Sequence, residues 1–258
     1  MIRLGIRAPL EFAPEAAALG YDYLELPLAR IASLTADEFE ELVAYLRSLD
    51  VRVDVLYDML PASIRVNGPD VSARVQHDWL NRAFARAGRL GASVIVFDAA
   101  QARGVPAGFD FAMARRQTGN FLRIVQGHVA PAGLKVAIQS YRRAECNLIN
   151  TSGEAALITA LLQLSCIGVL ADTVQMAHAS EPLDAIGRLG ADLFHVHAGC
   201  ALTRGLPRAG DGEDYARLFR TLARMGYNGR VSAVTDAEPD AEAAREALRC
   251  LKSARDHM

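Results

Sequence analysis

Asp172 follows a short aliphatic run over residues 167–170, and His197 closes another over 193–197. A carboxylate oxygen and an imidazole are the donor types that bind a divalent ion such as Mn²⁺, Co²⁺ or Zn²⁺. Two donors alone do not make a site. Glu25, Asp58, Asp98, Gln139 and Asp236 stand at the ends of similar runs. They add carboxylates for acid–base work, and one amide that hydrogen-bonds but takes no proton near neutral pH. His195 lies two residues before His197, so in a strand both side chains share a face, His195 the deeper. A core histidine satisfied by a neighbour is the plainer reading of His195, and ligation the sharper one. Cys200 is open to the same choice between a soft ligand and a small apolar filler. Arg103, Arg142 and Arg204 could meet a phosphate or a carboxylate, although a solvated surface arginine is the commoner outcome.

Residues of this kind need a frame that brings distant positions together. Eight short runs rich in aliphatic residues occur at 2–6, 23–26, 51–56, 93–97, 135–138, 167–170, 193–197 and 230–235. Longer amphipathic stretches separate them, the pattern of βα units around a parallel sheet. Gly20, Gly91, Gly190 and Gly226 each follow the last apolar residue of such a stretch and read as helix stops. Thr35 with Asp37 and Glu38 caps a helix carrying Phe39, Leu42, Val43 and Leu46 on one side. Helices are also predicted over 70–90, with Trp79, and over 211–225, with Tyr215 and Phe219; these aromatics read as core. The apolar stretch 155–171 is interrupted by Gln163 and Ser165 and reads as a helix followed by a buried strand.

The chain of 258 residues matches the length of one complete β/α barrel. The expected fold class is therefore α/β, a single (β/α)₈ barrel domain spanning 1–258. An open doubly wound sheet would place a glycine-rich phosphate loop after the first strand, where Arg7-Ala8-Pro9-Leu10 stands instead. A net charge of −2 argues against nucleic acid or an anionic membrane as partner and for a small molecule. Cys146, Cys166, Cys200 and Cys250 form no CxxC pair, and the chain opens MIRLGIR without a charged-then-apolar leader. A cytoplasmic protein with reduced thiols is expected.

Several short motifs then line up. They are 20–26 (GYDYLEL), 102–106 (ARGVP), 143–147 (RAECN), 171–176 (ADTVQM), 195–197 (HVH) and 226–232 (GYNGRVS). In this order and spacing the chain resembles the xylose isomerase-like barrels, which include sugar isomerases, ketose 3-epimerases and the related apurinic endonuclease fold. The resemblance implies a divalent ion, Mn²⁺, Co²⁺, Mg²⁺ or Zn²⁺. Its ligands would be a Glu ending strand five, an Asp ending strand six, a His ending strand seven and a Glu ending strand eight. The two glutamates would also shuttle a proton beside the substrate carbonyl, which the ion polarises.

Asp172 and His197 match that set, but Gln139 and Val234 stand where the two glutamates belong, and Gln175 stands where the family usually has a His. Asp236 or Asp98 could return a carboxylate. Glu145 matches a family glutamate that contacts substrate hydroxyls. Strand-end and loop positions together with the resemblance make Glu25, Asp98, Gln139, Glu145, Gln175 and Arg204 the expected substrate contacts, with Glu145 and Asp236 as catalytic candidates and Asp172 and His197 as what remains for a metal. Two functions stay open: a sugar or hydroxy-ketone isomerase or epimerase with a depleted metal site, and a metal-free or non-catalytic barrel binding a polyol or small acid. An apurinic endonuclease would need a richer ligand set than six histidines, with His77, His128, His178 and His257 scattered, provide. Relatives often form homo-oligomers.

Overall fold

The computed structural model describes residues 1–257. Its eight strands are β1 (Arg3–Arg7), β2 (Tyr23–Pro27), β3 (Val53–Tyr57), β4 (Val94–Phe97), β5 (Lys135–Gln139), β6 (Ile167–Asp172), β7 (Leu193–Ala198) and β8 (Arg230–Ala233). All pair in parallel in chain order, and β8 returns to β1 to close the barrel. The expected (β/α)₈ architecture is what the chain forms. The strand interiors are buried almost throughout, which is why they read as continuous apolar runs rather than alternating ones.

The helices are α1 (Ala13–Leu19), α2 (Leu28–Ser33), α3 (Ala36–Ser48), α4 (Ala73–Leu90), α5 (Ala100–Arg103), α6 (Phe111–Ala132), α7 (Ser152–Leu162), α8 (Thr173–His178), α9 (Tyr215–Arg224) and α10 (Ala241–Asp256). Thr35 closes a capping box with Glu38 at the start of α3. Gly20 and Gly91 end α1 and α4 with φ of +80° and +79°, a conformation that costs glycine little. α4 begins at Ala73 and α9 at Tyr215, a few residues inside the predicted starts at 70 and 211, because Ser72 and Asp214 supply the caps. Among the described residues no helix is long and apolar enough to cross a membrane.

Two apolar cores result. The larger lies between sheet and helices; the smaller fills the barrel and consists of Tyr23, Val55, Val94, Val96, Ala137 and Leu170. Gly5 makes room inside, since a Cβ there would run into the Tyr23 ring. At the N-terminal end Asp54 accepts contacts from Arg3, Arg52 and Arg230, which closes the bottom with charge rather than with apolar bulk. Strand alternation turns Arg7, Glu25, Gln139, Asp172 and His197 inward, in the C-terminal half of the barrel, the end at which β/α barrels build their sites.

Candidate functional site

Glu25 sits at the centre of a fully buried hydrogen-bonded network. His195 Nε2 and His197 Nε2 lie 2.9 Å from its Oε2 and Oε1 respectively, and Ser232 Oγ also donates to Oε2. Tyr23 supports Ser232 at 2.8 Å. His197 Nδ1 lies 3.3 Å from Asp172 Oδ2, which also accepts from the Gln139 amide at 2.6 Å. Gln139 Oε1 accepts from the Tyr141 hydroxyl at 3.2 Å, and Asp172 Oδ1 from the Gln175 backbone at 3.0 Å. One chain of contacts therefore links β2, β5, β6, β7 and β8.

The electrostatics fix the protons. Burial works to raise the Glu25 carboxyl, but His197 and His195 hold it well below the usual carboxylate range. An ionised carboxylate only accepts, so both Nε2 atoms carry hydrogen. Burial would likewise push His197 down, yet Glu25 and Asp172, one on each ring nitrogen, raise it to about 9. That shift favours the imidazolium form of His197, in which each ring N–H faces a carboxylate. His195, with burial dominant and one carboxylate partner, is pushed down and stays neutral. Its Nδ1 is buried and meets no described partner, which in that tautomer leaves only a lone pair unused.

Glu25, His195 and His197 place one donor atom each within 4.8 Å of one another, close enough for a metal ion. The chemistry of this set fits an ion poorly. Each Nε2 is already matched to a carboxylate oxygen, and a metal-bound histidine ordinarily donates its second N–H to a partner, which His195 Nδ1 does not have. At the positions implied by the resemblance, Gln139 presents an amide donor to Asp172, and Val234 is a buried aliphatic residue.

The remaining expected residues divide. Glu25 does not reach the mouth: it is fully buried one layer down, held by the two histidines and Ser232. Glu145, Gln175 and Arg204 come together at the rim, but on one another. Arg204 donates to Glu145 at 2.7 Å and pairs with Asp236, and Gln175 donates to Glu145 at 2.9 Å. Asp236 is therefore neutralised at the rim rather than delivered to the Asp172–His197 pair. Asp98 accepts from the backbone N–H groups of Asp58 and Met59 at 2.9 and 3.3 Å, on the far side of the mouth. Cys200 is buried, its thiol 3.8 Å from the Asp211 carbonyl oxygen. Arg103 corrects the expectation of a solvated loop arginine. It is fully buried, lies over Phe97 and Tyr141, and donates to the carbonyls of Phe97 and Gln139, so the β4 loop folds back into the core.

A family model described as the xylose isomerase-like TIM barrel matches residues 13–254. The chain belongs to that family. A sequence comparison with curated proteins gives no match. Among solved structures, the 3-keto-D-glucoside 4-epimerase YcjR from E. coli superposes with a TM-score of 0.82 at 20% identity, over 98% of this chain and 100% of that one. A D-psicose 3-epimerase from Clostridium cellulolyticum H10, solved with D-tagatose, gives 0.83 at 19% identity over 99% of both chains. A family 2 AP endonuclease from Brucella melitensis gives 0.76 at 18% identity, over 95% of this chain and 96% of that one. At these identities the likeness is one of fold.

Within this xylose isomerase-like barrel, sequence reasoning overlooks Arg7 and Ser232. Both occupy inward positions by strand alternation, Arg7 two residues after Gly5 and Ser232 opposite His197 in the β7–β8 register. That parity is the signal that could have found them.

Proposed function

We propose that this protein binds a small sugar or sugar-like hydroxy-ketone at the C-terminal mouth of its barrel and acts on it as an isomerase or epimerase without a resident divalent ion. What carries this reading is the setting of His197, whose two ring nitrogens each face a carboxylate, Glu25 and Asp172, and which as an imidazolium would offer a metal no lone pair. Gln139 in place of a carboxylate and Val234 in place of another point the same way. Electrophilic help for a carbonyl would then come from fixed positive charge, the role that donors aimed at a developing oxyanion play elsewhere.

Proton transfer falls to a group that can hold and release a proton near neutral pH. Glu145 is a poor candidate, since, against its partial burial, Arg204 and Gln175 keep it below the ordinary carboxylate value. Asp58 suits the role better: burial and the neighbouring Asp98 raise it to about 6, and it lines the open part of the mouth.

Elemental analysis of protein purified without chelator should find divalent metal far below stoichiometric. D-fructose, D-tagatose and D-psicose should bind equally with EDTA or with Mn²⁺, and a turned-over ketose should take up deuterium from D₂O beside its carbonyl. Near-stoichiometric metal, or binding that appears only with added ion, would overturn the proposal.

A further inference from the structure

The mouth has two unlike halves. Over β5 to β8 the Glu145–Arg204–Asp236 ion pairs and Gln175 tie the loops together. Over β1, β3 and β4 a cavity of about 700 Å³ stays open, lined by Arg7, Tyr57, Asp58, Asp98 and Tyr141 among others. The Arg7 guanidinium carbon lies 4.3 Å from the centroid of the Tyr57 ring. Burial opposes its charge, but Asp98 and Glu25 more than compensate and keep it cationic.

Neither the Arg7 guanidinium nor the Asp58 carboxylate forms a hydrogen bond or ion pair with any described side chain, although both face this one cavity. Asp98 acts on Arg7 as a fixed charge at longer range, because its oxygens already accept the Asp58 and Met59 backbone N–H groups. Arg30, the other cation lining the cavity, is held by Glu11 at 2.8 Å. The result is a planar fork of donors, oriented by an aromatic ring and lacking an acceptor. Such a fork matches a carboxylate bidentately. One arginine facing two aspartates suits a singly charged anion and disfavours a phosphate dianion.

We infer that Arg7 is a carboxylate clamp and that the ligand of this mouth is a sugar acid, or a small hydroxy- or keto-acid, rather than a neutral sugar. The inference rests on the reading of the mouth as a sugar-type site and narrows it to an acid. Asp58, across the cavity, is placed to meet a hydroxyl or carbonyl of the same molecule.

Matched probes separate the two claims. 2-Keto-D-gluconate differs from D-fructose, and D-gluconate from D-glucitol, by a carboxylate in place of a hydroxymethyl group. By calorimetry each acid should bind about 10- to 100-fold more tightly than its neutral partner, the range expected of a hydrogen-bonded charge pair. Arg7→Gln should abolish that preference, and Arg7→Lys should keep part of it, since lysine retains the charge without the fork. Inorganic phosphate should bind more weakly than either acid. Neutral probes that bind as tightly as the acids, or an unaltered preference in Arg7→Gln, would overturn the clamp and leave the sugar site standing. Failure of all four compounds to bind would overturn both readings. Circular dichroism reports whether Arg7→Gln folds; if it does not, Asp58→Asn decides. That variant removes an opposing charge, so the ratio of acid to neutral affinity should rise several-fold whatever happens to either alone, and an unaltered ratio would count against the clamp.

Discussion

The Gln139 amide and the Asp172 carboxylate meet at 2.6 Å, a donor set against an acceptor where the family resemblance implies two carboxylates around an ion. Gln139→Glu would put like charges in contact in a buried site, and one must then protonate or withdraw. The expected cost is about 3 kcal/mol, read by calorimetry as a fall in Tm of roughly 5–10 °C. Gln139→Glu with Val234→Glu should be unstable in EDTA and recover with Mn²⁺, whereas the parent protein should not respond to either. A double variant indifferent to Mn²⁺ would show that these strand ends do not surround a common point.

His197 makes stability depend on alkaline pH. Its folded pKa of about 9 lies above the ordinary 6.5, so its contribution is complete below about 6.5 and lost as pH rises through about 9. Glu25 and Asp172 act in the opposite sense; their pKa values are lowered, and their contribution is lost in acid. His195, whose value is lowered, adds a loss below about 6.5, so denaturant midpoints should be highest at about pH 6.5 to 7 and decline towards pH 9. Glu25→Gln leaves the imidazolium short of one carboxylate and should flatten the alkaline decline while lowering overall stability. A midpoint constant from pH 6 to 9.5 in the parent protein would contradict a charged His197.

The barrel was legible because its signals are local. Strands buried on both faces appear as unbroken aliphatic runs, and Gly20 and Gly91 mark helix ends with a conformation few other residues accept. The Glu25 network was not legible, because Ser232 lies 207 residues and His195 170 residues from the carboxylate they share. Reading His195 as a core histidine with a neighbour describes its surroundings, but only closure of β8 against β1 supplies the neighbour. Arg103 failed for a related reason: a charged loop residue is ordinarily solvated, and its burial depends on carbonyls of β4 and β5 that no local pattern announces. Gathering Gln139, Asp172 and His197 at one strand-end layer follows from barrel register, whereas Glu145 and Arg204 pairing across 59 residues depends on how two loops fold over it.

Arg204 joins the loops after β5 and β8 by contacting Glu145 and Asp236. These ion pairs are partly exposed, so Arg204→Met should lower stability by only about 1 kcal/mol. Its effect should be dynamic instead. Hydrogen exchange ought to quicken in residues 141–147 and 234–239 while the strands stay protected. Unchanged loop exchange would mean that the ion pairs decorate the rim without holding it.

Gly5 and Tyr23 test the packing beneath the site. A Cβ at position 5 would fall within the Tyr23 ring, which is fully buried and bonded to Ser232 and so cannot swing aside. Gly5→Ala should cost about 1–3 kcal/mol from overpacking, and by displacing Tyr23 it should loosen Ser232 and, through it, Glu25. Tyr23→Leu alone removes ring volume and the hydroxyl, and is destabilising in its own right. Combined, the two changes relieve the clash, so the double variant should be more stable than the sum of the single losses predicts. A favourable coupling of about 1 kcal/mol or more in that cycle is the expected result, and strict additivity would mean that the glycine is not there to admit the ring.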